Sequence, residues 1–517
     1  MKAATTFACL LALSTSAVAE VKLNQIFSDH MVVQRDQPVR VFGSAQPGEP
    51  VAVSFAGQSA QTETGADGRW RVDLPAVSEP GGSHELTVKG KNTITLKNVT
   101  VGEVWICSGQ SNMEWSMTRI LDSKEEIAAA DHADIRLFNV PRHISLPSAA
   151  ADTPGSWQVC RPDTVAGFSA VGYFFGQKLH EEVGVPIGLV GTNWGGTRIE
   201  PWTPPVGFEK VPELADYVNK IRSLDLQTDE GKASYNAYLD RIGSWVEDSR
   251  KKVAAGQAIG NPPGAPNFNQ VQGATTIYNG MVHGLAPFSV RGAIWYQGES
   301  NAGDGERYAA KKRALVRGWR SVFENEQLAF YWVQLANFQQ PSDNPAGGGW
   351  GPVREGQRRA LDLPNSGMAV IIDVGEARDI HPRNKQDVGR RLARWPLRDL
   401  YGKKDLVPSG PLYREMKVEG DKIRIYFDHV GGGLMVGKKE GLAPTQPADG
   451  KLQRFAIADK DKQWHWADAV IDGETVVVSK AGVANPTAVR YGFESNPVGA
   501  NLYNKEGLPA SPFRTGK

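Results

Sequence analysis

From Val21 to about Val99, apolar and polar residues alternate in short runs, VRVFG, VAVSF, RWRVDL and HELTVKG, broken by the turn-forming stretches AQPGEP, GADGR and SEPGGS. Alternation of period two buries one face of a strand, so residues 20–100 are expected to form a small antiparallel β domain. At Val101 the rhythm changes. Mostly apolar runs, VGEVWIC, IRLFNV, IGLVGTNW, VRGAIWYQ, LAFYWVQLA and MAVIIDV, now alternate with stretches of helical character near 169–184, 307–323, 353–361 and 384–401. Strands apolar on both faces and separated by helices predict βαβ units and a mainly parallel sheet, hence an α/β domain over residues 101–405. A charged, helix-prone stretch from about 205 to 270, closing on AIGNPPGAPNFN, interrupts it and predicts a helical insertion flanking or covering the site. From Leu406 the β pattern returns in KIRIYFDHV, LQRFAIA, ETVVVSK and AVRYGFE, so residues 406–517 are expected to form a second β domain. No fixed period of repeat length appears, which sets aside solenoids and propellers.

The first residues stand outside this scheme. Lys2, the apolar run Phe7–Leu13 and the small-x-small triplet Ala17-Val18-Ala19 read as a cleaved export leader over residues 1–19, placing the protein in the periplasm or outside the cell. The run is too short to span a bilayer. The formal charge of the whole chain is +1, which gives no electrostatic reason to expect nucleic acid or an anionic membrane as partner. Of three cysteines, Cys9 falls in the leader; Cys107 and Cys160 could pair in an oxidising compartment or stand as two buried thiols.

In open parallel sheets ligands sit beyond the carboxyl ends of the strands, so the residues after each strand carry the chemistry. Five segments fall there. In CSGQSNMEW a buried strand gives way to a small-residue turn presenting Ser111, whose hydroxyl could act as a nucleophile while backbone amides of the turn receive an oxyanion. The turn is not a GxSxG elbow, since Met113 replaces the second glycine, and a serine in such a turn often does no more than cap a helix. GTNWGGTRIEPW offers Gly195 and Gly196, at which backbone could approach a ligand closely. WYQGESNAG supplies Gln297, Glu299 and Asn301, and also Ser300, a rival nucleophile. DVGEARDIHPRNKQ carries Asp379 and His381, two residues apart in an extended loop and so on one face, the pair a serine needs for a base and its orienting acid. The fifth, FSAVGYFFGQKLHEEVG, reads as an amphipathic helix packed on the sheet through Tyr173, Phe174 and Phe175. Around these strand ends lie Trp115, Trp194, Trp202, Trp295, Tyr296 and Trp350, rings able to stack on sugars although more often used for packing.

Taken together, GQSNM, NWGGT, WYQGESNA and DIHPRNKQ, with YNGMVHG and NLYNKEGLPASPFRT, resemble the sialate O-acetylesterase family of SGNH-type hydrolases, over almost all of the chain from QIFSDHMVVQRDQPVRVFG to PFRT. The resemblance implies an α/β fold with an SGNH/flavodoxin-like three-layer α/β/α catalytic domain and accessory antiparallel β domains. It also implies deacetylation of O-acetylated sugars without metal or organic cofactor. It assigns the nucleophile to Ser111 and the base to His381. Oxyanion and substrate contacts then fall to the Ser111 amide, Gly195 or Gly196, and Gln297 or Asn301, with Gln110 and Glu299 in the same segments. SGNH enzymes commonly carry an aspartate three residues before the histidine, where this chain has Arg378, so either Asp379 completes a triad or the site works as a Ser–His pair. An acetylated hemicellulose, xylan or xyloglucan, suits an aromatic cleft. Sialic acid would call instead for a nearby arginine, Arg198, Arg354, Arg358 or Arg378. A non-catalytic carbohydrate-binding protein is the alternative of another class.

Overall fold

The structure is a computed structural model that describes residues 20–146, 148–266 and 270–516; the leader read at residues 1–19 lies outside them. Seven strands build the sheet that matters for the site: β1 (Thr93–Gly109), β2 (His132–Asn139), β3 (Trp157–Cys160), β4 (Ile187–Asn193), β5 (Gly292–Tyr296), β6 (Ala329–Val333) and β7 (Ser366–Ala369). They lie in the order β3-β2-β4-β1-β5-β6-β7. Every pairing is parallel except β3 on β2. Without the β2–β3 pair at one edge, the remaining five follow the order 2-1-3-4-5 in chain sequence.

Strand β1 shows how sequence dictates environment. Its first half alternates between exposed and covered residues, while Val99 to Gly109 is buried without interruption. The outer half pairs antiparallel with Gly81–Lys89 of the amino-terminal β region. The inner half lies between two parallel neighbours, buried on both faces, which is what a run such as VGEVWIC requires. The amino-terminal strands and the parallel sheet therefore share one strand and one hydrophobic core, whereas Ile423 to Phe513 pack a core of their own.

Helices cover both faces of the parallel sheet. On one, Phe175 of α1 (Ala170–Val183) meets Trp105 edge-on, and Trp395 of α3 (Lys385–Asp399) stacks on Tyr331. On the other, Trp319 of α2 (Tyr308–Val322) packs on Trp295 and Phe330. Helix α1 starts where Ser169 accepts a hydrogen bond from the Gly172 amide and ends at Gly184, in the left-handed region at φ 70°. Helix α3 starts where the Asn384 side chain accepts from the Asp387 amide, three residues past His381. The 205–270 stretch contains the helices Pro205–Glu209, Ala215–Arg222 and Asp229–Ala254. Among the described residues no helix is long and apolar enough to cross a membrane.

Cys107 and Cys160 are both free and buried, which decides against the pairing. They lie on β1 and β3, three strand spacings or roughly 14 Å apart, beyond the reach of a disulfide.

Candidate active site

Strands β4, β1 and β5 end level, with Asn193, Gly109 and Tyr296 side by side in register. The three segments NWGGT, GQSN and QGES thus leave the sheet at one edge. Gly109 has φ 142°, and a Cβ there would sit 2.2 Å from the Tyr296 carbonyl oxygen, so only glycine allows β1 to turn so close to β5. The chain then enters a single helical turn, Ser111–Glu114, in which the Met113 and Glu114 amides donate to the Gln110 carbonyl. Ser111 opens that turn.

The base arrives from the last parallel strand. MAVIID was expected to run as strand to Asp373, but β7 stops at Ala369. Beyond it Asp373 is held by Arg391 at 2.6 and 2.9 Å, with the Tyr503 hydroxyl at 3.3 Å, so this stretch exchanges ladder bonds for side-chain contacts. The loop that follows brings His381 Nε2 to 2.9 Å from Ser111 Oγ. Asp379 Oδ1 accepts from the His381 amide at 2.9 Å and lies 3.2 Å from Nδ1. With the Nδ1 proton directed at Asp379, Nε2 is left as acceptor for the serine hydroxyl. The imidazole also stacks on the Trp115 ring, centroids 4.5 Å apart and planes 13° from parallel.

Beneath the serine a buried chain of polar groups ties three of the segments together. Asn112 Nδ2 donates to Glu299 Oε1 at 2.6 Å and to the Ile380 carbonyl at 3.0 Å, and Lys385 Nζ donates to Asn112 Oδ1 at 2.5 Å. The residue after the nucleophile is thereby bonded to the residue before the base. Burial raises the Glu299 carboxyl above its ordinary range and brings the Lys385 ammonium down to about 7. Burial lowers the His381 pKa as well; the positive charge of Lys385 acts in the same direction and Asp379 opposes it, so the imidazole is a neutral base at neutral pH. Lys385→Met removes that charge, and the acid limb of kcat/KM against pH is expected to move to higher pH. The sign follows because a positive neighbour makes the imidazole release its proton at lower pH. A pH–rate profile on p-nitrophenyl acetate reads it, and a limb shifted downward would contradict a cationic Lys385 acting on the base.

The other sequence candidates divide. Gly195 adjoins the nucleophile, since a Cβ there would lie 3.3 Å from Ser111 Cβ, but its amide donates to Glu114 Oε2 at 2.5 Å. Glu114 in turn pairs with Arg142. Gly196 is exposed at φ 75°. Gln297 and Asn301 are not brought into the site as oxyanion donors: both are fully buried and spend their amides internally. Gln297 Nε2 donates to Asn301 Oδ1 at 2.7 Å and to the Thr197 carbonyl at 3.2 Å; Asn301 Nδ2 donates to Asp304 at 2.6 Å and Glu200 at 3.0 Å. Gln110 likewise turns inward, its Oε1 accepting from the Ser300 amide at 3.2 Å and holding that loop. These amides brace the segments that carry the site. Asn112, Lys385 and Glu114 stand inside the quoted motifs, yet their roles depend on partners 81 to 273 positions away and have no local signal.

Of the arginines considered for a substrate carboxylate, three are occupied. Arg198 bridges Glu200 and Asp304, Arg354 is fully buried with its guanidinium on four backbone carbonyls, and Arg358 grips Glu355. Arg378 is exposed. Of the rings, Trp202, Trp295 and Tyr296 are fully buried and Trp350 nearly so, which leaves Trp115 and Trp194 partly open.

Comparison with known proteins places this geometry in context. The model of a family described as carbohydrate esterase, sialic acid-specific acetylesterase, matches residues 101–255 and 262–397. The sialate O-acetylesterase of Rattus norvegicus is 28% identical, with 94% of this chain and 92% of the rat protein covered. That of Homo sapiens is 26% identical, with 94% and 91% covered. The crystal structure of a carbohydrate acetylesterase from Xanthomonas citri superposes with a TM-score of 0.79 at 37% identity, over 96% of this chain and 100% of that one.

Proposed function

Since this chain belongs to the carbohydrate esterase family of sialic acid-specific acetylesterases, and is on that account a serine ester hydrolase, we propose that it removes acetyl groups from O-acetylated glycans by acyl transfer through Ser111. The observation that carries the assignment is the 2.9 Å contact between Ser111 Oγ and His381 Nε2 at the carboxyl edge of the sheet. His381 takes the hydroxyl proton as Oγ attacks the acetyl carbonyl, then returns it to the departing sugar alcohol. Water, activated by the same imidazole, cleaves the acetyl-enzyme. The Ser111 amide and Gly196 are the backbone donors offered to the oxyanion, the Gly195 amide being taken by Glu114. We read residues 101–405 as an SGNH-type domain of flavodoxin-like three-layer form, joined through strand β1 and a common core to the β region at 20–100 and followed by a β domain at 406–517. The 2-1-3-4-5 order of the five parallel strands and the helices on both faces support that reading. The leader pattern at residues 1–19 supports export.

For the sugar, our reading is a neutral acetylated hemicellulose, xylan or xyloglucan. Trp194, next to Gly195 in sequence, is partly open while Trp115 already stacks on His381, and Arg198, Arg354 and Arg358 are committed to the protein itself. The second reading, a sialate 9-O-acetylesterase, draws on the relatives' names and on Arg119 and Arg378, both exposed. Acetate release from 9-O-acetyl sialic acid, acetyl-xylan and acetyl-xyloglucan fragments separates the two. Turnover confined to the sialate would put that substrate in place of hemicellulose.

Asp379 is assigned as the third member of the triad, in a weak form. Its side chain is 49% exposed, and exposed carboxylates contribute little to a neighbouring charge. Asp379→Asn is therefore expected to lower kcat only about tenfold, against the roughly 10⁴-fold seen when a buried triad acid is replaced. Steady-state kinetics decide it, and an unchanged rate would leave a Ser–His pair.

A further inference from the structure

An exposed Asp379 leaves a question of how His381 keeps its orientation. The carboxylate shares one oxygen between the His381 amide and Nδ1, in contact with water. Trp115 is tethered differently. Its carbonyl accepts from the Ala170 amide at 2.9 Å, at the first residue of α1, and its indole Nε1 donates to the Arg119 carbonyl at 3.0 Å. The ring is thus fixed at backbone and edge, and it presents a face to the imidazole, nearly parallel and in contact. The charged groups around the base are Asp379, Glu376 and Arg383 on its own loop, Lys385 on α3, Glu299 beyond Asn112, and Arg119, whose guanidinium carbon lies 5.2 Å from the indole centroid.

We propose that Trp115 is a positioning residue for the base: its indole holds the His381 imidazole with Nε2 on Ser111 and favours that ring as it takes up the serine proton, so that the orienting work of the triad is shared between Asp379 and an aromatic face. This rests on the assignment of Ser111 and His381. In the step concerned the Ser111 O–H bond breaks, its proton moves to Nε2, and Oγ bonds to the acetyl carbon. Trp115 neither gives nor takes a proton. An indole face attracts a cation more strongly than a benzene face does, and the imidazolium is the cation formed in this step.

The test uses the full-length enzyme with p-nitrophenyl acetate, which carries no sugar, comparing wild type, Trp115→Leu, Trp115→Phe and Ser111→Ala. Trp115→Leu should lower kcat about tenfold with KM within about twofold. It should also move the acid limb of the pH–rate profile to lower pH, because leucine keeps that imidazole face covered while the ring's attraction for the protonated form is lost. Trp115→Phe should recover most of kcat, with its limb between the other two. A folded Trp115→Leu enzyme with wild-type kcat and limb, or one changed in KM alone, overturns the proposal while an inactive Ser111→Ala leaves the active-site reading standing. An active Ser111→Ala sinks that reading instead. Should the leucine variant fail to fold by circular dichroism, an unshifted limb in the phenylalanine variant still overturns the proposal.

Discussion

Replacing Ser111 by alanine is expected to lower turnover of p-nitrophenyl acetate and of acetylated glycans by about 10⁴-fold or more, with the fold intact by circular dichroism. The magnitude follows from what the variant keeps. The Trp115–His381 stack, the backbone amides of the turn and the Glu299–Asn112–Lys385 chain all remain, so bound substrate is still polarised, but no atom attacks the acetyl carbon except water. The serine side chain, partly accessible and holding no bond among the described residues besides its contact with His381, is cheap to remove. Ser300→Ala is the internal control. Ser300 sits in the look-alike segment GESN, but its amide is fixed by Gln110 while the imidazole lies on Ser111. That variant is expected to keep wild-type kcat, and an inactive Ser300→Ala beside an active Ser111→Ala would transfer the nucleophile to the other loop.

The elements that position the site were legible because their signals are local. VGEVWIC, IGLVGTNW and VRGAIWYQ read as buried strands from composition alone, and each ends within a residue or two of where its apolar run stops. Asp379 and His381 were legible as a pair because an i, i+2 spacing fixes their common face without any tertiary information. What failed was of the other kind. Gln297 and Asn301 follow a strand end, as an oxyanion donor should, yet whether an amide points at substrate or into the protein depends on Thr197, Glu200 and Asp304, which the fold brings up from another loop or another turn. MAVIID reads as strand to Asp373, but β7 is an edge strand whose one neighbour, β6, ends at Val333 opposite Ala369, so the ladder ends there. Trp115 was legible only as one ring among six, since no spacing within the chain relates it to a histidine more than 260 positions on.

His381→Ala should cost about as much as the serine substitution, roughly 10⁴-fold in kcat, and combining the two should cost little more, because nucleophile and base act as a unit. Removing the ring leaves a gap bounded by Ser111 Oγ on one side and the Trp115 face on another. The His381 side chain is 24% exposed, so the gap is reachable from solvent. Added imidazole should therefore enter, stack on Trp115 and restore part of the rate in a saturable manner, as read by initial rates across an imidazole titration at about pH 8, where the free base predominates. Rescue requires that His381 act through its ring nitrogen; a histidine whose role was to hold the loop would leave a defect that free imidazole could not repair. The same titration on His381→Ala combined with Trp115→Leu should saturate weakly or not at all, since the guest loses the surface against which it is oriented. Equal rescue in the presence and absence of the indole would mean that the site holds its base by the loop alone.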